Sequence, residues 1–231
     1  VRVSRLQGEL TTANNQRTFY TRILKSKMRV LIIAGSPSPD LTIVKQTLSE
    51  DKNIEVRSLT QKSSGDFYEG QLTDRILDSA DCLALIGFPI SSTSEQVLHA
   101  LRTTGRSLPI LFVNGKSIDE RKLGALGSFL PFVASRASQT EQLVFIEPSP
   151  NTHPVLATNT GVQSWRRLPP LFKLQTQYQA KPEASVVAFI NINPASGGIA
   201  INEPLIVLRN VNRQKSLAIL GYGIWRWRLM A

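Results

Sequence analysis

Residues Lys27–Asp40, KMRVLIIAGSPSPD, decide the fold. The unbroken apolar run Val30–Ala34 ends at Gly35 and a Ser/Pro turn, and a helical pattern follows. A fully apolar strand that hands over to a helix through a short turn is the mark of a buried parallel strand in an α/β domain. The helix is expected from about Asp40 to Asp51, with Leu41, Val44 and Leu48 on one face and Asp40 as its N-cap.

Downstream the same scheme repeats. Strands are expected at Asn53–Leu59, Asp81–Gly87 and Leu108–Val113, with helices at Thr73–Ser79, Thr93–Thr104 and Asp119–Leu126. Repeated βα units with short turns imply a parallel sheet with helices on both faces and right-handed crossovers. Ser91, Ser92 and Thr93 read as N-caps of the helix that follows them. After Gly127 the order loosens. Glu141–Glu147, Ala184–Ile190, Pro204–Arg209 and Ser216–Leu220 read as further strands, partly antiparallel, extending the same sheet. Asn210–Gln214 is a hairpin-like turn, Asn191–Gly198 a loop, and Trp165–Pro170 a loop with an apolar anchor. Upstream, residues 1–27 differ. VRVSRLQGEL alternates like a half-buried strand, TTANN is a turn cluster, and RTFYTRIL is a second strand. This segment is either an edge hairpin or the tail of a preceding β-sandwich, and residues 28–231 form the α/β domain.

Composition excludes several classes of function. One cysteine, Cys82, leaves no intrachain disulfide and no cysteine zinc site. The two histidines, His99 and His153, are too far apart in sequence to suggest a metal site. No GxGxxG or GxxxxGK[ST] pattern occurs, so no cofactor is expected. The net charge of +10 attracts anionic partners in general, but the Lys and Arg are scattered. Nucleic acid is not expected as a partner. The chain opens at Val1 without Met and reads as a piece of a longer protein.

Several stretches together resemble a known family. MRVLIIAGSPSPDLTIVKQTL, HPVLA, WRRLPPL and LAILGYGIWRW, in that order, are similar to the class I glutamine amidotransferase-like domains of large bacterial membrane proteins, which often stand beside von Willebrand factor A-type domains. GELTTANNQRTFYTRIL resembles the close of an immunoglobulin-like domain preceding them. The resemblance implies a flavodoxin-like three-layer fold in an extracytoplasmic, periplasmic part of an inner-membrane protein. Its partners would then be cell-envelope proteins and the rest of its own membrane-anchored chain.

Active members of the amidotransferase class carry a nucleophilic Cys on a tight strand-to-helix turn, in a pattern like P-[IV]-[LF]-G-[IV]-C-x-G. The corresponding stretch here is Pro109-Ile110-Leu111-Phe112-Val113-Asn114-Gly115-Lys116. Asn114 stands where the Cys belongs, and an amide cannot form a thioester. The activating His with its Glu is missing as well, since His153 is followed by Pro154 and Val155. The chain is therefore expected not to be an enzyme. Cys82 is read as a core or near-core thiol beside Asp81, the wrong setting for a reactive one. Gly35, Ser36, Ser38, Phe88 and Asn114 sit at the carboxyl ends of strands, where open α/β sheets bind ligands, and are the candidates for a small-ligand or anion site. Trp165, Arg166, Trp225, Arg226 and Trp227 are candidates for an interaction surface. The alternative is that the tryptophans plug the end of the sheet with arginines stacked on them.

Overall fold

The structure, a computed structural model, describes residues 7–8, 27–105, 107–150, 153–154, 162–192, 199–212 and 214–230. The expected βα alternation is present. It runs β1 (Met28–Ala34), α1 (Pro39–Ser49), β2 (Ile54–Thr60), α2 (Asp74–Asp78), β3 (Cys82–Ile86), α3 (Glu95–Gly105), β4 (Ile110–Val113) and α4 (Glu120–Ala125). Then come β5 (Phe132–Ser135), β6 (Glu141–Pro148), a 3-10 turn (Val162–Arg167), β7 (Leu171–Leu174), β8 (Gln177–Ala180), β9 (Ala184–Ile192), β10 (Ile199–Val211), β11 (Gln214–Ile219) and α5 (Trp225–Met230).

Among the described residues, one nine-stranded sheet carries the molecule, in the order β2-β1-β3-β4-β11-β10-β9-β6-β7. The pairs from β2 to β11 are parallel, and those from β11 to β7 are antiparallel. β5 and β8 form a separate antiparallel pair. The inner strands of the parallel half, β1, β3 and β4, are buried on both faces because they are apolar on both. In β1, Leu31 and Ile33 join a core with Leu98 and Leu101 of α3 and Ile76 and Leu77 of α2. Val30, Ile32 and Ala34 face the other way, onto Leu41 and Val44 of α1. The antiparallel half has its own core of Val144, Ile146, Val187, Ile190 and Leu205, closed by Trp165 and Trp227. This is a three-layer α/β sandwich.

The structure corrects several local expectations. Ser38, not Asp40, caps α1: its Oγ accepts the Leu41 N–H at 3.2 Å, and Pro39 occupies the first turn, where no N–H is needed. Asp40 is buried and serves the far end of the chain. Thr93 does not cap α3. Its Oγ1 accepts the Ile90 N–H and donates to the Gln61 side chain, while Ser94 accepts the Val97 N–H. The last residues of GYGIWRW open α5. Strands β5, β7 and β8 fall in stretches with no strand expectation. Asn191 and Ile192 continue β9 instead of opening a loop. Apart from residues 7–8 and 27, the N-terminal β segment lies outside the described residues. So do Val155–Ala157 of the HPVLA stretch and the 193–198 part of the expected loop.

Candidate functional site

The carboxyl ends of β1, β3 and β4 meet backbone to backbone. Gly35, Gly87 and Gly115 follow these strands and pack against one another. A Cβ on Gly35 would run into the Gly87 carbonyl oxygen and lie 2.6 Å from Ile90 Cγ2, and one on Gly115 would lie 2.5 Å from Gly87 Cα. Gly87 also holds a φ of 56°, in the left-handed region. Gly35 N–H donates to Ile86 O, and Gly87 N–H to Val113 O, so the three turns are locked together.

Above this contact lies a cleft of about 270 Å³. Ser36, Ser38 and Asn114 line it, as the sequence suggests, together with Lys116, Glu141 and Tyr222. Gly35 and Phe88 do not. Gly35 is consumed by the glycine contact, and the Phe88 ring is fully buried in the main core. Lys116 and Glu141 form an ion pair at 3.1 Å at the rim. Burial beside Glu141 raises the Tyr222 phenol above its ordinary range.

Asn114 is 1% exposed, and its side chain is committed inward. Its Nδ2 donates to Tyr178 Oη at 3.0 Å and to the Leu220 carbonyl at 3.4 Å, while Oδ1 accepts the Gly115 N–H at 2.9 Å. Tyr178 in turn donates to Glu120 Oε1 at 2.8 Å. Beneath Tyr178 lies Lys173, whose Nζ is 5.0 Å from the ring centroid. Lys173 is wholly buried and bonds Leu174 O, Thr176 O and Glu203 Oε1 at 3.0, 2.6 and 2.6 Å. Burial pushes the Glu120 carboxyl up and the Lys173 amine down. The position of the expected nucleophile is thus the head of a buried hydrogen-bonded chain. Sequence reasoning missed this chain, because Tyr178, its middle member, lies 64 positions from Asn114 and 58 from Glu120.

The two Trp/Arg motifs come together. Trp165 meets Trp227 edge to face at 6.0 Å, Trp227 Nε1 donates to Pro169 O, and Arg226 donates to Pro170 O while lying over the Phe172 ring. Arg166 pairs with Glu147. Trp225 lies apart from this block, on the cleft wall. Cys82 is half-buried at the opposite end of β3, and burial raises its thiol pKa. His99 lies on the exposed face of α3, 3.5 Å from Arg102.

No family model matches the chain, and no curated protein matches it. Solved structures do. A ThuA-like protein from Parabacteroides merdae superposes with a TM-score of 0.52 at 9% identity, over 84% of this chain and 79% of that one. Another, from Bacteroides uniformis, gives 0.51 at 12%, over 92% of each. The mmIFT52 N-terminal domain gives 0.50 at 11%, over 82% and 85%. The fold is flavodoxin-like. At such identities the likeness concerns architecture alone.

Proposed function

We propose that this chain is a non-catalytic interaction domain of a bacterial cell-envelope membrane protein, held on the extracytoplasmic side. The observation that carries the first part is Asn114. The nucleophile turn of the fold holds an amide whose oxygen and nitrogen are both spent on internal bonds. Around it the cleft offers Ser36, Ser38, Lys116, Glu141 and Tyr222, with no His or Cys on its wall to supply the base and thiol of acyl transfer. The membrane setting rests on the resemblance of the motif series. Among the described residues no helix is long and apolar enough to cross a bilayer.

A second reading is favoured by the cleft itself. Ser36, Ser38 and Lys116 converge on one concave site and suit a small ligand or anion, which would make the domain a sensor. One experiment separates the readings. Crosslinking in cells that express the whole parent protein, followed by mass spectrometry, is expected to join this domain to the same one or two envelope proteins in repeated trials. Wild-type protein incubated with glutamine is expected to release no ammonia. Ammonia release that disappears in Asn114→Ala overturns the non-catalytic reading. Absent crosslinks, together with calorimetric binding of a phosphate or carboxylate probe that Ser36→Trp abolishes, transfer the case to the sensor.

A further inference from the structure

β2 is the outermost strand of the parallel half, and among the described residues no strand pairs with its outer side. The register shows which groups face outward. Asn53 O accepts from Met28 N–H and Gln61 N–H donates to Ala34 O, so the odd-numbered residues turn toward β1. Successive residues of a strand alternate, so Ile54, Val56, Ser58 and Thr60 turn outward. Thr60 is already covered: its N–H donates to Glu69 Oε2 and its carbonyl accepts Tyr68 N–H. Ile54 N–H is spent on Asp51 O. The carbonyl of Ile54 and both backbone groups of Val56 and Ser58 have no backbone partner among the described residues.

The exposed side chains on this edge are Glu55 and Arg57, two apart and therefore on one face. Arg29 lies opposite Glu55 in the β1 register, but its guanidinium holds both oxygens of Asp81. Edge strands are commonly blunted by lysine, proline or a bulge on the edge. This edge carries one charge of each sign around a central Val56.

We infer that the β2 edge pairs with the β2 edge of a second copy of this chain, antiparallel and about a twofold axis at Val56. In that register Val56 faces Val56 and exchanges both of its backbone bonds. Ser58 N–H donates to Ile54 O in each direction. Glu55 of each copy faces Arg57 of the other, in the close, non-hydrogen-bonded pair where side chains interact most strongly. The axis makes the contact reciprocal, as a two-copy interface requires. Sliding the pairing two residues either way sets Glu55 against Glu55 or Arg57 against Arg57, so charge selects the central register. The result is a reversible dimer whose sheet runs on from one copy into the next.

Sedimentation of the full chain over a concentration series tests this. The wild type is expected to shift from monomer to dimer. Arg57→Glu alone and Glu55→Arg alone each turn two attractive cross-strand pairs into repulsive ones, and each is expected to weaken the dimer about tenfold or more. An equimolar mixture of the two variants restores both attractions and is expected to recover dimer. Both residues are exposed, so the variants keep the fold. A chain that stays monomeric at every concentration overturns the inference and assigns the edge to another occupant, such as the chain's own residues before Met28. A dimer indifferent to all three tests also overturns it.

Discussion

Gly115 and Gly124 are both glycines near α4, yet they obey opposite rules. A Cβ on Gly115 has no room, because what it meets is the Gly87 backbone, which cannot swing aside as a side chain can. Gly115→Ala is expected to destabilise the protein by about 1–3 kcal/mol, as overpacked sites do. Gly124 lies within α4 with nothing inside 4 Å of its missing Cβ. Gly124→Ala is expected to add about 0.5–1 kcal/mol, through the lower entropy of the unfolded chain. Urea midpoints for the pair check both signs at once. Sequence shows that Gly35, Gly87 and Gly115 each follow a strand, and it sets Asn114 where the resembled family carries its Cys. It does not show that the three glycines touch. It also leaves Asn114 without its partners, since Tyr178 and Leu220 arrive from β8 and from the end of β11.

At the scale of elements, Asp40 belongs to two helices. It stands in the first turn of α1, yet its Oδ2 accepts Gly223 N–H at 2.7 Å and its Oδ1 accepts Trp225 N–H at 3.0 Å, at the start of α5. A carboxylate there satisfies donors that the short helix leaves open. Asp40→Ala strands both N–H groups and is expected to cost roughly 2–4 kcal/mol; Asp40→Asn, which keeps one acceptor, is expected to cost less. Denaturation followed by tryptophan fluorescence checks this, because Trp225 and Trp227 ride on α5. The elements that sequence made legible are those with a run or a period long enough to read. The ones it hid have physical reasons. In WRWRLM, Trp and Arg alternate with the period of a strand, although the segment is helical. β7 buries Lys173 among apolar neighbours, a choice that only its three oxygen partners make tolerable. β5 and β8 are short, and their only buried side chains are Phe132 and Tyr178, which meet edge to face at 5.3 Å.

Over the whole molecule, the parallel half of the sheet follows from the chain order, and the antiparallel extension from β11 through β7 follows only in part. β11 enters beside β4 after more than a hundred residues, a crossing that no local pattern announces. Buried charge is the other property that belongs to the whole. Burial raises the carboxyl pKa of Asp40 and of Glu120, so the folded state holds those protons more tightly than the unfolded chain does. The unfolded state therefore binds fewer protons between its own pKa and the folded one, and stability falls as pH rises through that window. The wild type is expected to lose stability as pH climbs just past the ordinary carboxylate range. Glu120→Gln, which preserves the Tyr178 bond, is expected to show a shallower decline. Urea titrations at a series of pH values measure both slopes.

The glycine contact at the top of the sheet carries a consequence for how this protein can change over time. Where backbone rests on backbone, no side chain exists to be exchanged, and small trial-and-error steps are closed off at Gly35 and Gly115 by lack of room and at Gly87 by its left-handed φ. Novelty in this domain must enter through the loops around that fixed seat, at Ser36, Ser38, Lys116 and Ser117, whose replacement leaves the seat intact. The floor of the cleft is hard to redesign, and its walls are open to revision.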